Sequence, residues 1–197
     1  TLDRVGRGQD TRAFIHDAGG EILPFVYAAR NARLRAKQPG FKVYDMNPRH
    51  EHCTGWDMCA DIGNDFGLAE GVAKVFIPEN PKANSPYFDN ASRNLMIATM
   101  ESFIIMNMER QKRGENPIRW ELRHVCLAMQ DPVIMRQLFS RHHRTRRYAE
   151  LLERANNDVL TTKDTHMAVF DSIAAIWDGR ELISIREWKR DPVGSVM

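Results

Sequence analysis

The feature that most constrains this chain is the stretch from Phe88 to Gln111, where apolar side chains recur nearly all round a helical wheel. A helix apolar on every side cannot rest on a surface and has to be enclosed by other elements. Its most apolar part, Leu95 to Met108, is interrupted by Thr99, Glu101, Ser102 and Asn107 and is shorter than the ~20 residues a membrane-spanning helix needs. The expectation is a central buried helix in a helical block, and a chain that does not cross a membrane.

The flanking segments supply the rest of such a block. Leu68, Val72, Val75 and Phe76 form one apolar face that stops before Pro78. Asn116–Pro117 reads as an N-cap followed by proline at the first helical position, with Ile118, Leu122, Val125 and Met129 at helical spacing. Asp131–Pro132 repeats that signal for Val133 to Phe139. Tyr148, Leu151, Leu152 and Ala155 mark a further helix. Met167, Phe170, Ile173, Ala174 and Trp177 mark the last, ended by Asp178–Gly179.

The two ends of the chain read differently. Arg12 to Asp17 is a short apolar run that ends on a carboxylate before Gly19–Gly20, the pattern of a buried strand entering a turn. Glu21 to Arg35 is helical, with Ile22, Phe25, Val26 and Ala29 on one face and Pro24 in its first turn. Phe41 to Met46 alternates as a second strand, closed by Asn47–Pro48. Strand, helix and strand in this order predict a βαβ unit with a parallel sheet. Leu182 to Ile185, and Val193 onward, read as extended, so the chain returns to a sheet. The fold class expected is mainly α: a multi-helix domain between a short βαβ start and a β return. No repeat or low-complexity segment interrupts it.

The apolar fraction of 43% and charged fraction of 27% fit a globular protein and exclude a disordered tail. A net charge of +2 does not by itself mark a nucleic-acid binder. Arginine outnumbers lysine 21 to 7, which a GC-rich genome accounts for, but the arginines cluster late in the chain. Three cysteines, Cys53, Cys59 and Cys126, have no disulfide-scaffold spacing and suit a reducing cytoplasm. The opening Thr-Leu-Asp, without a signal peptide, and the close at Gly194 to Met197 read as the bounds of an internal piece.

Chemistry-bearing motifs are few. No glycine is followed by lysine, so there is no GxxxxGK[ST] phosphate loop and the chain alone is not expected to hydrolyse ATP. Ala13 to Asp17 superficially resembles a strand whose terminal carboxylate holds Mg²⁺, but such strands are common and no stand-alone metal site is expected there. His50, His52, Cys53 and Cys59 are zinc-type ligands whose spacing matches no closed site, so polar loop residues beside a buried Cys59 are expected, and no metal. No Ser/His/Asp or Cys/His set stands out. Arg141, His142, His143, Arg144, Arg146 and Arg147 place six cationic or titratable side chains in seven residues. They are either a solvated helix end that favours the preceding C-terminus or a contact surface for DNA or an acidic partner.

Several of these segments resemble one family in order and spacing. Asp17-Ala18-Gly19-Gly20-Glu21 after a strand is similar to the D-x-x-G-E motif of type IV secretion coupling proteins of the TraD/TraG type. Asn47–Pro48 followed by Trp56–Asp57 resembles their "NP … WD" segment. Ile77–Pro78, then Tyr87–Phe88 with Ala91 and Arg93, resembles the "IP … FW..aAR" stretch, and Ile183 to Trp188 resembles "FSIRDW". Ala18–Gly19 and Phe88–Asp89 depart from the commoner residues at those places.

The resemblance implies a hexameric RecA-like ATPase, anchored in the bacterial inner membrane, that brings relaxosome, DNA or effector cargo to a secretion channel. It implies an all-α domain at residues 56–179, inserted in a partial motor domain formed by residues 1–55 and 180–197. Asp17, Gly20 and Glu21 would lie near the nucleotide site. ATP and Mg²⁺ would belong to the parent protein, whose Walker A and B elements lie outside this chain. The segment itself would be cytoplasmic and, in isolation, a monomer. The alternative is a free-standing helical DNA-binding or adaptor protein, and the two readings differ on whether the extended segments share one sheet.

Overall fold

A computed structural model describes residues 12–17, 19–38, 40–79, 86–155, 157–190 and 195–197, and the protein is mainly helical. In chain order its elements begin with β1 (Arg12–Ala13), α1 (Leu23–Arg35), β2 (Lys42–Val43), β3 (Gly55–Trp56), α2 (Met58–Ile62), α3 (Phe66–Phe76) and α4 (Pro86–Lys112). There follow α5 (Leu122–Gln130), α6 (Pro132–Ser140), α7 (His143–Glu153), α8 (Asn157–Trp177), β4 (Leu182–Ile183), α9 (Ile185–Trp188) and β5 (Ser195–Val196). The chain divides into two compact units, one of Thr1–Trp56 with Gly179–Met197 and one of Asp57–Asp178.

The first unit holds a three-stranded parallel sheet in the order β1-β5-β2, with Ala13 and Val43 both opposite Val196. Of the extended segments expected from the sequence, those at Arg12–Ala13, Lys42–Val43 and Ser195–Val196 share this sheet, whereas Leu182–Ile183 does not. Ala18, Val193 and Gly194 fall outside the described residues. A second parallel pair joins β3 to β4, with Trp56 opposite Ile183. Val26, Phe41 and Val196 form one small core, and Ile183, Trp188 and Met197 another.

Two expectations are corrected in this unit. On α1 only Val26 is buried, while Ile22 is 41% and Phe25 70% exposed. Strands this short offer a footprint for one row of helix side chains, so the apolar face is narrower than the pattern implies. Extended structure also ends at Ile183, because the Ser184 hydroxyl caps Glu187 N at 3.0 Å and starts the short helix α9.

The second unit is built round α4, which packs against α3, α5, α6, α7 and α8. Leu95, Met96, Met100 and Ile104 are fully buried, each contributing about 1.5–3 kcal/mol of apolar burial. The four polar interruptions between Leu95 and Met108 all have partners. Thr99 and Ser102 donate back to Leu95 O and Ala98 O at 2.9 and 2.7 Å. Glu101 accepts from Arg144, and Asn107 brackets Ile118.

On α3 the buried row is Ala69 and Ala73, continuing to Ile77, whereas Leu68 and Val75 are 42% and 79% exposed. Small residues let α3 and α4 approach closely, so the larger aliphatics fall on the outer side. The helix expected from Asn116–Pro117 begins instead at Leu122. Residues 115–121 are non-helical because Ile118 N donates to Asn107 Oδ1, and Asn107 Nδ2 donates to Ile118 O, both at 2.8 Å. With its backbone groups engaged across the chain, Ile118 cannot join an α-helical ladder. Asp131 does cap α6 as expected, accepting from Val133 N at 2.7 Å with Pro132 following. Gly179, at φ 71°, takes the left-handed conformation just after α8.

Candidate functional site

The basic cluster lies at the joint between α6 and α7. Arg141 ends α6 and His142 is the N-cap of α7, its Nδ1 accepting from Arg144 N at 3.2 Å. The cluster is thus a turn followed by a helix start, not one continuous helix. Thr145, fully buried, donates from its hydroxyl to Phe139 O at 2.9 Å and ties the start of α7 to the end of α6. Tyr148, Ala149 and Leu152 follow Thr145 at helical spacing and are buried. That leaves Arg141, His143, Arg144, Arg146 and Arg147 exposed.

The four arginines do different things. Arg147 lies over the Tyr148 ring at 4.7 Å and donates to its hydroxyl at 2.7 Å. Arg144 reaches α4, where Glu101 Oε1 accepts from Nε at 3.0 Å and from Nη2 at 2.8 Å. Its guanidinium also stacks on the Phe66 ring of α3 at 4.0 Å. Arg141 and Arg146 have no carboxylate partner among the described residues, and the rings of His142 and His143 lie 4.1 Å apart, tilted by 41°. Glu101 and Phe66 were missed in the sequence. The signal that could have found Glu101 was a lone carboxylate within an otherwise apolar helix, which requires a cation partner.

The other sequence-derived residues meet in the first unit. Asp17 accepts backbone N–H bonds from Glu21, Ile22 and Leu23 at 3.1, 2.8 and 3.0 Å, capping the start of α1. Desolvation pushes the Asp17 carboxyl up, but these donors together with Gly20 outweigh it and hold the group below its ordinary range. Gly20, at φ 72°, makes the turn that brings those amides round. Glu21 is exposed. Asp17 lines a cleft of about 450 Å³ that also includes Asp45 and His50, at the carboxyl ends of β1, β2 and β5. Ligands of open α/β sheets bind on that side.

The zinc-type residues do not converge. His50 Nδ1 pairs with Asp45 Oδ2 and its Nε2 lies 3.3 Å from Asn47 Nδ2. Cys53 is buried. Burial pushes the Cys59 thiol above its ordinary value, and it is half-buried near Ile118 O. Among the described residues no group of three or more His, Cys, Asp or Glu side chains could hold a metal ion, and no helix is long and apolar enough to cross a membrane.

The family model described as "Type IV secretion-system coupling protein DNA-binding domain" matches residues 2–195, nearly the whole chain. No curated protein matches it.

Proposed function

The chain belongs to the family of type IV secretion-system coupling protein DNA-binding domains, and from that premise we propose that the α6–α7 joint is the surface that grips DNA. One observation carries the reading. In the helical unit Arg110 and Arg113 share Glu115 as an ion-pair partner, Arg119 pairs with Asp57 and Arg123 with Asp178. Arg136, Arg141, Arg146 and Arg154 have no such partner among the described residues, and of these Arg141 and Arg146 are clustered with the exposed His143 and Arg147. Cations without internal partners are free to meet phosphate, and no base-reading motif accompanies them, so the contact is to the backbone and independent of sequence.

In this reading the helical unit is inserted in a RecA-like motor domain, to which both ends of the chain contribute. The parallel order β1-β5-β2 and the pairing of β3 with β4 support that arrangement. The parent protein would be a hexamer at the cytoplasmic face of the inner membrane that also meets relaxosome or effector proteins. It would bind ATP and Mg²⁺ through Walker elements that these residues do not contain, with Asp17, Gly20 and Glu21 near the nucleotide.

The test is the salt dependence of binding to a mixed-sequence duplex. Arg141→Gln with Arg146→Gln should lower the slope of log K against log salt by about 0.9 for each phosphate no longer neutralised. A doubly substituted chain with the parent's slope and affinity would place the DNA surface elsewhere.

A further inference from the structure

We infer that Glu101 is a positioning residue that holds Arg144 as a preorganised phosphate-binding group, an inference that rests on the DNA-binding reading of the α6–α7 joint.

Arg144 is fixed from three sides. Its backbone N–H donates to His142 Nδ1 at 3.2 Å, its guanidinium stacks on Phe66 at 4.0 Å, and Nε and Nη2 both donate to Glu101 Oε1. Nε and Nη2 form the inner edge of the guanidinium. The Nη1 edge makes no hydrogen bond to a described residue, and the side chain as a whole is 44% exposed. A guanidinium has five N–H donors, so a group fixed along one edge keeps another for a phosphate oxygen.

The geometry of the pair differs from one built for stability. An arginine–carboxylate pair is strongest as two parallel bonds to two oxygens. Here one oxygen takes both bonds, while Glu101 Oε2 is buried without a hydrogen-bond partner. The carboxylate also places a negative charge, only 4% exposed, beneath a surface proposed to bind an anion. Electrostatics alone make that arrangement unfavourable. It becomes useful if the immobilised arginine loses little freedom when it meets phosphate, whereas Arg141 and Arg146 have to be ordered on binding.

A purely electrostatic patch and a positioning role predict opposite signs. Glu101→Gln makes the chain more positive by one charge, so an electrostatic patch would bind duplex DNA more tightly. A positioning role predicts weaker binding, roughly threefold to tenfold at low salt, because a neutral amide oxygen holds the guanidinium less firmly than the carboxylate does. The salt slope should also fall by about 0.9, which a change in fold stability alone would not produce. The measurement uses the full chain and a labelled mixed-sequence duplex, with the thermal midpoint of each variant recorded.

If Glu101→Gln binds as well as or better than the parent while Arg141→Gln with Arg146→Gln weakens binding, the positioning role is overturned and the surface stands. If neither change affects binding, the surface reading falls and the inference with it. Should Glu101→Gln not fold, Arg144→Lys decides. That substitution keeps the charge but removes the planar edge, so a loss as large as that of Arg144→Gln upholds the inference and parent-like binding overturns it.

Discussion

Asn107 on α4 bonds both backbone groups of Ile118, accepting from its N–H and donating to its carbonyl, each at 2.8 Å. One side chain thereby replaces a strand neighbour and holds residues 115–121 off the helical path. Asn107→Ala leaves two part-buried backbone groups without partners and should cost about 2 kcal/mol in urea denaturation. Asn107→Asp keeps the acceptor but sets an oxygen against Ile118 O, so it should not restore the loss. A parent-like midpoint for either variant would show that the bracket carries no stability.

Arg144 and Arg146 sit two residues apart, yet their substitution should differ sharply. Arg144→Ala strands the buried Glu101 carboxylate. The expected cost is about 3 kcal/mol, the lower end for breaking a buried pair, because Arg144 itself is 44% exposed. Arg146→Ala, at an exposed position without a carboxylate partner among the described residues, should stay within about 0.5 kcal/mol. Equal unfolding midpoints for the two variants would contradict this.

Lys163 on α8 is 1% exposed and donates from Nζ to Met129 O, in the last turn of α5, at 2.5 Å. A cation there complements the α5 helix dipole. Its ion-pair partner Asp164, at 2.7 Å, is mostly exposed. Lys163→Met keeps the length but removes the bond and should lower stability by about 2 kcal/mol. Lys163→Ala adds a cavity and should cost more. A Lys163→Met variant that melts above the parent would mean that the ammonium is a burden to the core.

The lowered carboxyl of Asp17 has a definite pH signature. A depressed group contributes stability above its ordinary value of 3.8, and that contribution is lost as pH falls through the lower folded value. Asp17→Asn should therefore flatten the acid limb of the first unit's stability below about pH 4 and leave the slope at higher pH unchanged. Amide exchange at Ile22 and Leu23 reports this locally. An unchanged acid limb would remove Asp17 as the cap.

The chain should show no ATP turnover, since the phosphate cradle needs a glycine-rich loop and lysine at a helix N-terminus and neither is present in the sequence. Turnover that persists through rigorous purification and scales with chain concentration would refute this.

Much of the fold was legible in the sequence because its signals are local. The all-round apolar pattern of Phe88 to Gln111 required enclosure, and α4 is enclosed on its flanks by α3, α5, α6, α7 and α8. Asp131–Pro132 carries its own cap, and the Asp17 to Glu21 motif carries the acceptor and the glycine its turn requires. The basic cluster was visible as composition. Only the tertiary structure decided which groups those residues meet. Asn116–Pro117 has the local form of a helix start, but Asn107, 11 residues from Ile118, captures that backbone first. Leu68 and Val75 outrank Ala69 and Ala73 in hydrophobicity, yet close helix approach selects the small residues. Arg144 and Glu101 are 43 residues apart and become partners only once α7 packs on α4. Caps and periodicities are settled among neighbours within a turn or two, whereas the fate of a lone polar group is settled by whichever distant element packing brings within bonding distance.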